Sequence, residues 1–251
     1  MFEFSIVLGE QNAEQAKKLY KNLKDSTKII GGVVTSYYEN KNIYIVVACD
    51  EIEKSRISFF VCDEIAEIIS TDFKHKFIDE KLRLSLSNQI NLNALKKALV
   101  AFDRETDRYI ITHNLKLNKN IVIESFYEFK LKQLRQKWFE LIKLANENAG
   151  YLLCNDTFID LLKFLIENIE ISRNLVNVVK DDVGYKICDE NFVEIETGEE
   201  NLTGDAFLVT SLITLSPKKI NVYCDMNENS SALSLISQIF ENRVVILPNI
   251  R

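Results

Sequence analysis

The chain has 251 residues, a formal net charge of −6, 47% hydrophobic and 27% charged residues. That length buries a full core, as one large domain or two smaller ones, and the apolar fraction excludes a disordered tail protein. Seven Gly and two Pro exclude collagen-like and Pro-rich linker architectures.

The N-terminal part reads β-α-β-β-α. Phe2–Leu8 alternates as a strand, and Asn12–Leu23 carries Ala13, Ala16, Tyr20 and Leu23 at helical spacing, with Leu19 beside them. Ile29–Tyr38 and Asn42–Cys49 are β-branched and aromatic, and the turn Glu39-Asn40-Lys41 joins them as a hairpin. Gly31-Gly32 predicts a bulge or a close backbone approach in the first of these strands. Ser55–Ile69 returns to helical spacing through Phe59, Cys62, Ile65, Ala66 and Ile69.

The middle is helical. Asp72–Leu86 offers Phe73, Phe77, Leu82 and Leu84, and Asn93–Phe102 is a shorter helix, while Arg104–Asn120 is not assigned to an element. The clearest helix runs from about Ile123 to Ala145 on the seam Tyr127, Leu131, Leu134, Trp138, Leu141, Ala145. Phe126, Phe129 and Ile142 widen its apolar face, and Lys130, Lys132, Arg135 and Lys137 lie off it. Asp156–Glu170, capped by Asn155 or Asp156, follows with the stripe Phe158, Leu161, Leu162, Leu165, Ile169.

The last segment changes period from 3.6 to 2. Leu175–Val179 and Tyr185–Cys188 are strands joined by the turn Asp181-Asp182-Val183-Gly184, and Phe192–Ile195 is expected as a further strand. A helix that starts near Thr203 and ends before Pro217, a strand Lys219–Cys224, a helix Ser230–Phe240 and a strand Arg243–Leu247 close the chain. The fold class is therefore α+β: an N-terminal βαββα unit over 1–71, a helical middle over 72–172, and a C-terminal mixed sheet with two helices over 173–251.

Ile, Lys and Asn number 29, 23 and 23. Their AT-rich codons make this bias a property of the genome rather than a prion-like signal. The start Met1-Phe2-Glu3-Phe4-Ser5 places an acid where a signal peptide needs bases, and no apolar run approaches ~18 residues, the length of a membrane span. A cytoplasmic location is expected. Cys49, Cys62, Cys154, Cys188 and Cys224 fit it, being odd in number, without CxxC spacing, and in or beside apolar runs. Residues 151–251 hold 8 basic and 16 acidic side chains, and the stretch Asp181–Asp205 has nine acids and one base. Such a half repels phosphate, so nucleic acid is not expected as its partner.

No motif identifies a reaction, and neither catalytic residues, a cofactor nor a metal is assigned. His75 and His113 stand apart, without the clustered ligands of a zinc site, and nucleotide-binding, HExxH and GxSxG motifs are absent. Thr203-Gly204-Asp205 reads as a helix cap, because Glu199, Glu200 and Asp205 repel phosphate; Asp181-Asp182 and Asp189-Glu190 read as solvated turn acids. From Lys116 to Lys143 there are seven bases and three acids. This is the wet face of a long helix, with nucleic-acid binding by helix 123–145 as the alternative. Pro217 stops a helix, Lys218 complements its negative end, and the second lysine, Lys219, has no such reason.

Ile123-Glu124-Ser125-Phe126-Tyr127-Glu128-Phe129-Lys130-Leu131-Lys132 resembles a hallmark of the YtxC-like sporulation proteins, roughly I-x-x-F-x-x-F-R-L-K. Leu208–Ile220, with its Pro217-Lys218-Lys219-Ile220 stop, is similar to a second hallmark, and Phe158–Leu165 with Asn177-Val178-Val179 falls between them as in that family. The resemblance covers about residues 121–251, and Lys130 departs from the usual Arg. It implies a role in endospore formation and carries over no catalytic residue. The expectation is an accessory protein acting through an unidentified protein partner, with Lys218, Lys219, Lys130 and Arg135 as candidate contacts. An enzyme of unrecognised type is the rival reading, to be raised by a pocket gathering His75 or His113 with carboxylates.

Overall fold

The structure is a computed structural model, and residues 1–84, 88–117, 119–147, 155–181, 184–197, 202–225 and 230–248 are described. Leu86, Cys154, Asp182, Val183, Glu199 and Glu200, used in the sequence reading, lie outside them. The chain forms two compact units: residues 1–77 with 104–140, and residues 78–103 with 141–251.

In the first unit, β1 (Phe2–Gly9) pairs antiparallel with β3 (Asn42–Cys49), which pairs antiparallel with β2 (Val33–Glu39); β4 (Asn120–Val122) lies parallel to β1 on its other side. Period-2 alternation puts Phe4, Ile6 and Leu8 of β1 on one face with Ile45 and Val47 of β3, all buried. They share the core with Ala16, Leu19 and Leu23 of α1 (Ala13–Ile30) and Ile57, Val61 and Ile65 of α2 (Lys54–Ile68). α1 runs further than its spacing predicts, because buried Thr27 extends the stripe of Leu19 and Leu23 and donates its hydroxyl to the Leu23 carbonyl. Gly31, at φ 80°, caps the helix instead of bulging a strand. Gly32 is the close approach: a Cβ there would meet the Cδ1 of Ile57 at 2.7 Å.

α2 passes through a π-helical turn, Ile69–Phe73, into α3 (Lys74–Lys81). α5 (Arg104–Asn114) occupies the unassigned stretch and leads to β4. The long helix expected over 123–145 is two helices, α6 (Ile123–Lys130) and α7 (Lys132–Glu147). Leu131 sits between them at φ −103°, ψ 25°, its side chain buried. The break frees the Glu128 carbonyl, which accepts from Arg135 Nη1 at 3.4 Å. Phe129, expected in the core, lies on α6 at 68% exposure.

In the second unit, β5 (Arg173–Lys180), β7 (Pro217–Cys224) and β8 (Val244–Pro248) run parallel, and β6 (Tyr185–Cys188) is antiparallel to β5, in the order β6-β5-β7-β8. α4 (Gln89–Ala101), α8 (Asn155–Glu167), α9 (Gly204–Leu215) and α10 (Ser231–Phe240) complete it. α9 packs on α4 and α10 and buries Leu208, Val209, Leu212 and Ile213, consistent with its nearly unbroken apolar sequence. Ser216, at φ 36°, ends α9, and Pro217 opens β7. Phe192–Ile195 is not a strand. The side chain of Asp189 accepts from the N–H of Asn191 and of Val193, folding that segment into a turn that keeps a single bridge, Cys188 with Glu194.

Candidate functional site

α2 and α5 lie antiparallel in the first unit. Arg108 donates to Asp63 and, at 3.0 Å, to Glu67, and Arg104, one turn earlier on α5, donates to Glu67. Residues one turn apart share a helix face, so two carboxylates on α2 meet two guanidiniums on α5 in reverse order. Beyond this ladder the helices part around an open groove of about 700 Å³. Ser55, Phe59 and Cys62 line it from α2, Glu105, Tyr109 and Thr112 from α5, with Leu115 and Leu117 further on. Phe59 is 77% exposed and Tyr109 68%.

The opposite side of α5 is anchored. Asp107 is fully buried and accepts from Lys74 Nζ at 2.7 Å and from Trp138 Nε1 at 2.9 Å. Lys137 Nζ lies 3.7 Å from its other oxygen. α5 thus presents Tyr109 and Arg108 from a backbone held by a buried ion pair.

Burial, with the Asp63 charge second, pushes the Cys62 thiol up to about 11, so it is protonated and weakly nucleophilic at neutral pH. His113 stacks on the Tyr109 ring at 5.9 Å but does not line the groove, and His75 is exposed as well. Asp63, Glu67 and Glu105 outnumber Arg104 and Arg108, leaving an excess carboxylate at the rim. Among the described residues, no three His, Cys, Asp or Glu side chains gather as a metal site, and no helix is long and apolar enough to cross a membrane.

A model of the YtxC-like family matches residues 50–245. The chain belongs to the YtxC-like family. Comparison with curated proteins and with solved structures gives no match. The YtxC-like match starts just after β3 and so takes in α2, α5 and the whole groove, well upstream of the hallmark at 123–132. β1, α1, β2 and β3 precede it.

The four candidate contacts fall in different units of this YtxC-like chain. Lys130 is exposed at the end of α6 in the first unit. Arg135, in the same unit, is half-buried, with its guanidinium 4.9 Å from the Tyr127 ring centre and near Glu128. Lys218 and Lys219 are exposed at the start of β7 in the second unit. Sequence reasoning missed Phe59, which its spacing placed on the apolar face, together with Tyr109 and Arg108 in the unassigned stretch. A signal was present: Asp63/Glu67 is an i,i+4 pair of acids and Arg104/Arg108 an i,i+4 pair of bases, so one helix face carries negative charge and another the positive charge that can meet it.

Proposed function

We propose that this chain is a cytoplasmic accessory protein of endospore formation that acts by binding a protein partner. The sporulation role rests on the resemblance of residues 123–132 and 208–220 to the YtxC-like hallmarks. The binding role rests on one observation: two large exposed aromatics, Phe59 and Tyr109, flank an open groove between helices. Rigid exposed aromatics beside a groove suit helix-in-groove recognition, where a few apolar anchors carry most of the affinity. The excess carboxylate at the rim suits an amphipathic helix with a basic residue beside its apolar anchor. Lys218, Lys219 and Lys130 are proposed as further contacts, and Arg135 as the residue that holds the α6–α7 corner.

The nucleic-acid reading draws less support. Of the basic stripe, Arg135 lies against Glu128 and Tyr127 and Lys137 near Asp107, so it is not a continuous row of free cations. The test is the double variant Phe59→Ala/Tyr109→Ala, placed as the sole copy in an endospore-forming cell. Both side chains are exposed, so the melting curve should match wild type while spore yield and the partner complex are lost. Normal spore yield with an unchanged complex would overturn the reading.

A further inference from the structure

β2 is an edge strand. One side pairs with β3, and the other meets no strand among the described residues. The turn Asn40-Lys41 has positive φ at both residues, 48° and 62°, and closes the hairpin at Glu39 and Asn42. A two-residue turn of this type makes its closing pair a hydrogen-bonded one. Alternation then directs the N–H and C=O groups of Val33, Thr35, Tyr37 and Glu39 toward β3, and those of Val34, Ser36 and Tyr38 outward. The usual guards of an open edge are missing: Val33–Glu39 contains no Pro and no Lys, and its one charge is at its end. Every residue of the strand but Val34 is exposed, so α1, which packs on β2, leaves the edge open at Ser36 and Tyr38.

We propose that β2 pairs with β2 of a second copy of this chain, antiparallel about a two-fold axis at Ser36, so that the sheet continues across a dimer. A two-fold interface must be self-complementary. This strand is so in the register centred on Ser36. Ser36 meets its own copy, Val34 meets Tyr38 of the second copy, and Thr35 meets Tyr37. All three outward residues then find backbone partners within the strand. Aromatic and β-branched side chains oppose each other, which is a favoured cross-strand pairing. Glu39 opposes Val33 of the second copy, so no like charges face one another. The other edges are poorer templates: β4 has three residues, β6 has four and is already met on its outer side by Glu194 and Ile195, and β8 ends at Pro248, which lacks an N–H. β2 precedes the family-matched residues, and none of its residues lines the groove.

The test is the mass of the full chain in solution by light scattering after gel filtration, across a concentration series. The expected result is twice the 29.0 kDa of one chain, with dissociation on dilution. Ser36→Pro removes the central outward N–H without touching the β3 ladder, and Ser36→Lys places two ammonium groups at the axis. Both are expected to be folded monomers by circular dichroism. If Ser36→Pro fails to fold, Ser36→Lys decides. A wild-type chain that stays at 29.0 kDa at all concentrations, or a dimer that survives Ser36→Lys, would overturn the proposal.

Discussion

Trp138 donates its indole N–H to Asp107 at 2.9 Å, and both side chains are sealed from solvent. The same carboxylate oxygen takes Lys74 at 2.7 Å, so the single tryptophan, a buried charge and its counter-charge form one unit. A buried pair of this kind is costly to break and cheap to replace as a whole, because the penalty lies in leaving one charge without the other.

Trp138→Ala is therefore expected to cost about 3–5 kcal/mol through the cavity it leaves. Asp107→Ala should cost a similar ~3–5 kcal/mol by stranding the Lys74 ammonium. The double variant Lys74→Met/Asp107→Leu removes both charges and should regain part of that loss, but not all of it, because the Trp138 indole N–H then lacks its acceptor. Urea unfolding followed by circular dichroism measures all three. A Trp138→Ala curve near wild type would show that the indole carries none of the packing attributed to it.

Gly32→Ala tests the close approach after α1. The new methyl would sit 2.7 Å from Ile57 Cδ1 and 3.2 Å from Thr27 Cβ, both on buried side chains. Overpacking of this kind typically costs about 1–3 kcal/mol. A melting temperature unchanged from wild type would mean that the strand entry shifts freely.

Cys62 sets a pH dependence. Its thiol is raised from 9.0 to about 11, chiefly by burial, so the folded state favours the protonated form. The stabilisation is complete below pH 9 and is lost as pH rises from 9 toward 11. Cys49, Cys188 and Cys224 are raised by burial too, so Cys62→Ser isolates the contribution of this one thiol. The variant should lose less stability than wild type between these pH values, and alkylation at Cys62 should still be accelerating at pH 10. Fast labelling at pH 8 would contradict the assignment.

Lys218→Glu places an acid beyond the negative end of α9 and should cost a few tenths to about 1 kcal/mol. Lys219→Glu should cost little, since the residue is exposed. If the pair contacts a partner, the double reversal gives a folded, monodisperse protein that fails to support spore formation, as reversed charges slow association. Normal spore yield from the folded double variant would remove these lysines from the partner surface.

Much of the fold was legible because its signals are local. The βαββα order of the first seventy-odd residues, the helices of the middle and the strand–helix–strand close each follow from the spacing of apolar residues a few positions apart. Trp138 is 2% exposed, as the seam requires. Boundaries were less legible. α1 runs on to Ile30 because Thr27, a polar residue on the stripe, is satisfied by the Leu23 carbonyl, and no apolar pattern reports that.

Local periodicity thus settled which segments are helices and strands and which face of each is apolar, since a few residues spaced by 3.6 or 2 carry that information. It did not settle which apolar faces are covered. Phe59 sits at helical spacing with Cys62, which in turn leads to Ile65, yet it faces a groove, because α5 approaches α2 through Asp63 and Arg108, 45 positions apart. Phe129, which spacing placed on an apolar face, is exposed, and the break at Leu131 that follows it, with Arg135 reaching the Glu128 carbonyl, is not written in the apolar pattern. The division of the helical segments between the two units, and the open edge of β2, likewise depend on long-range packing. A contact between distant residues is paid in loop entropy and repaid by burial in the assembled fold, and no stretch of a dozen residues contains that balance.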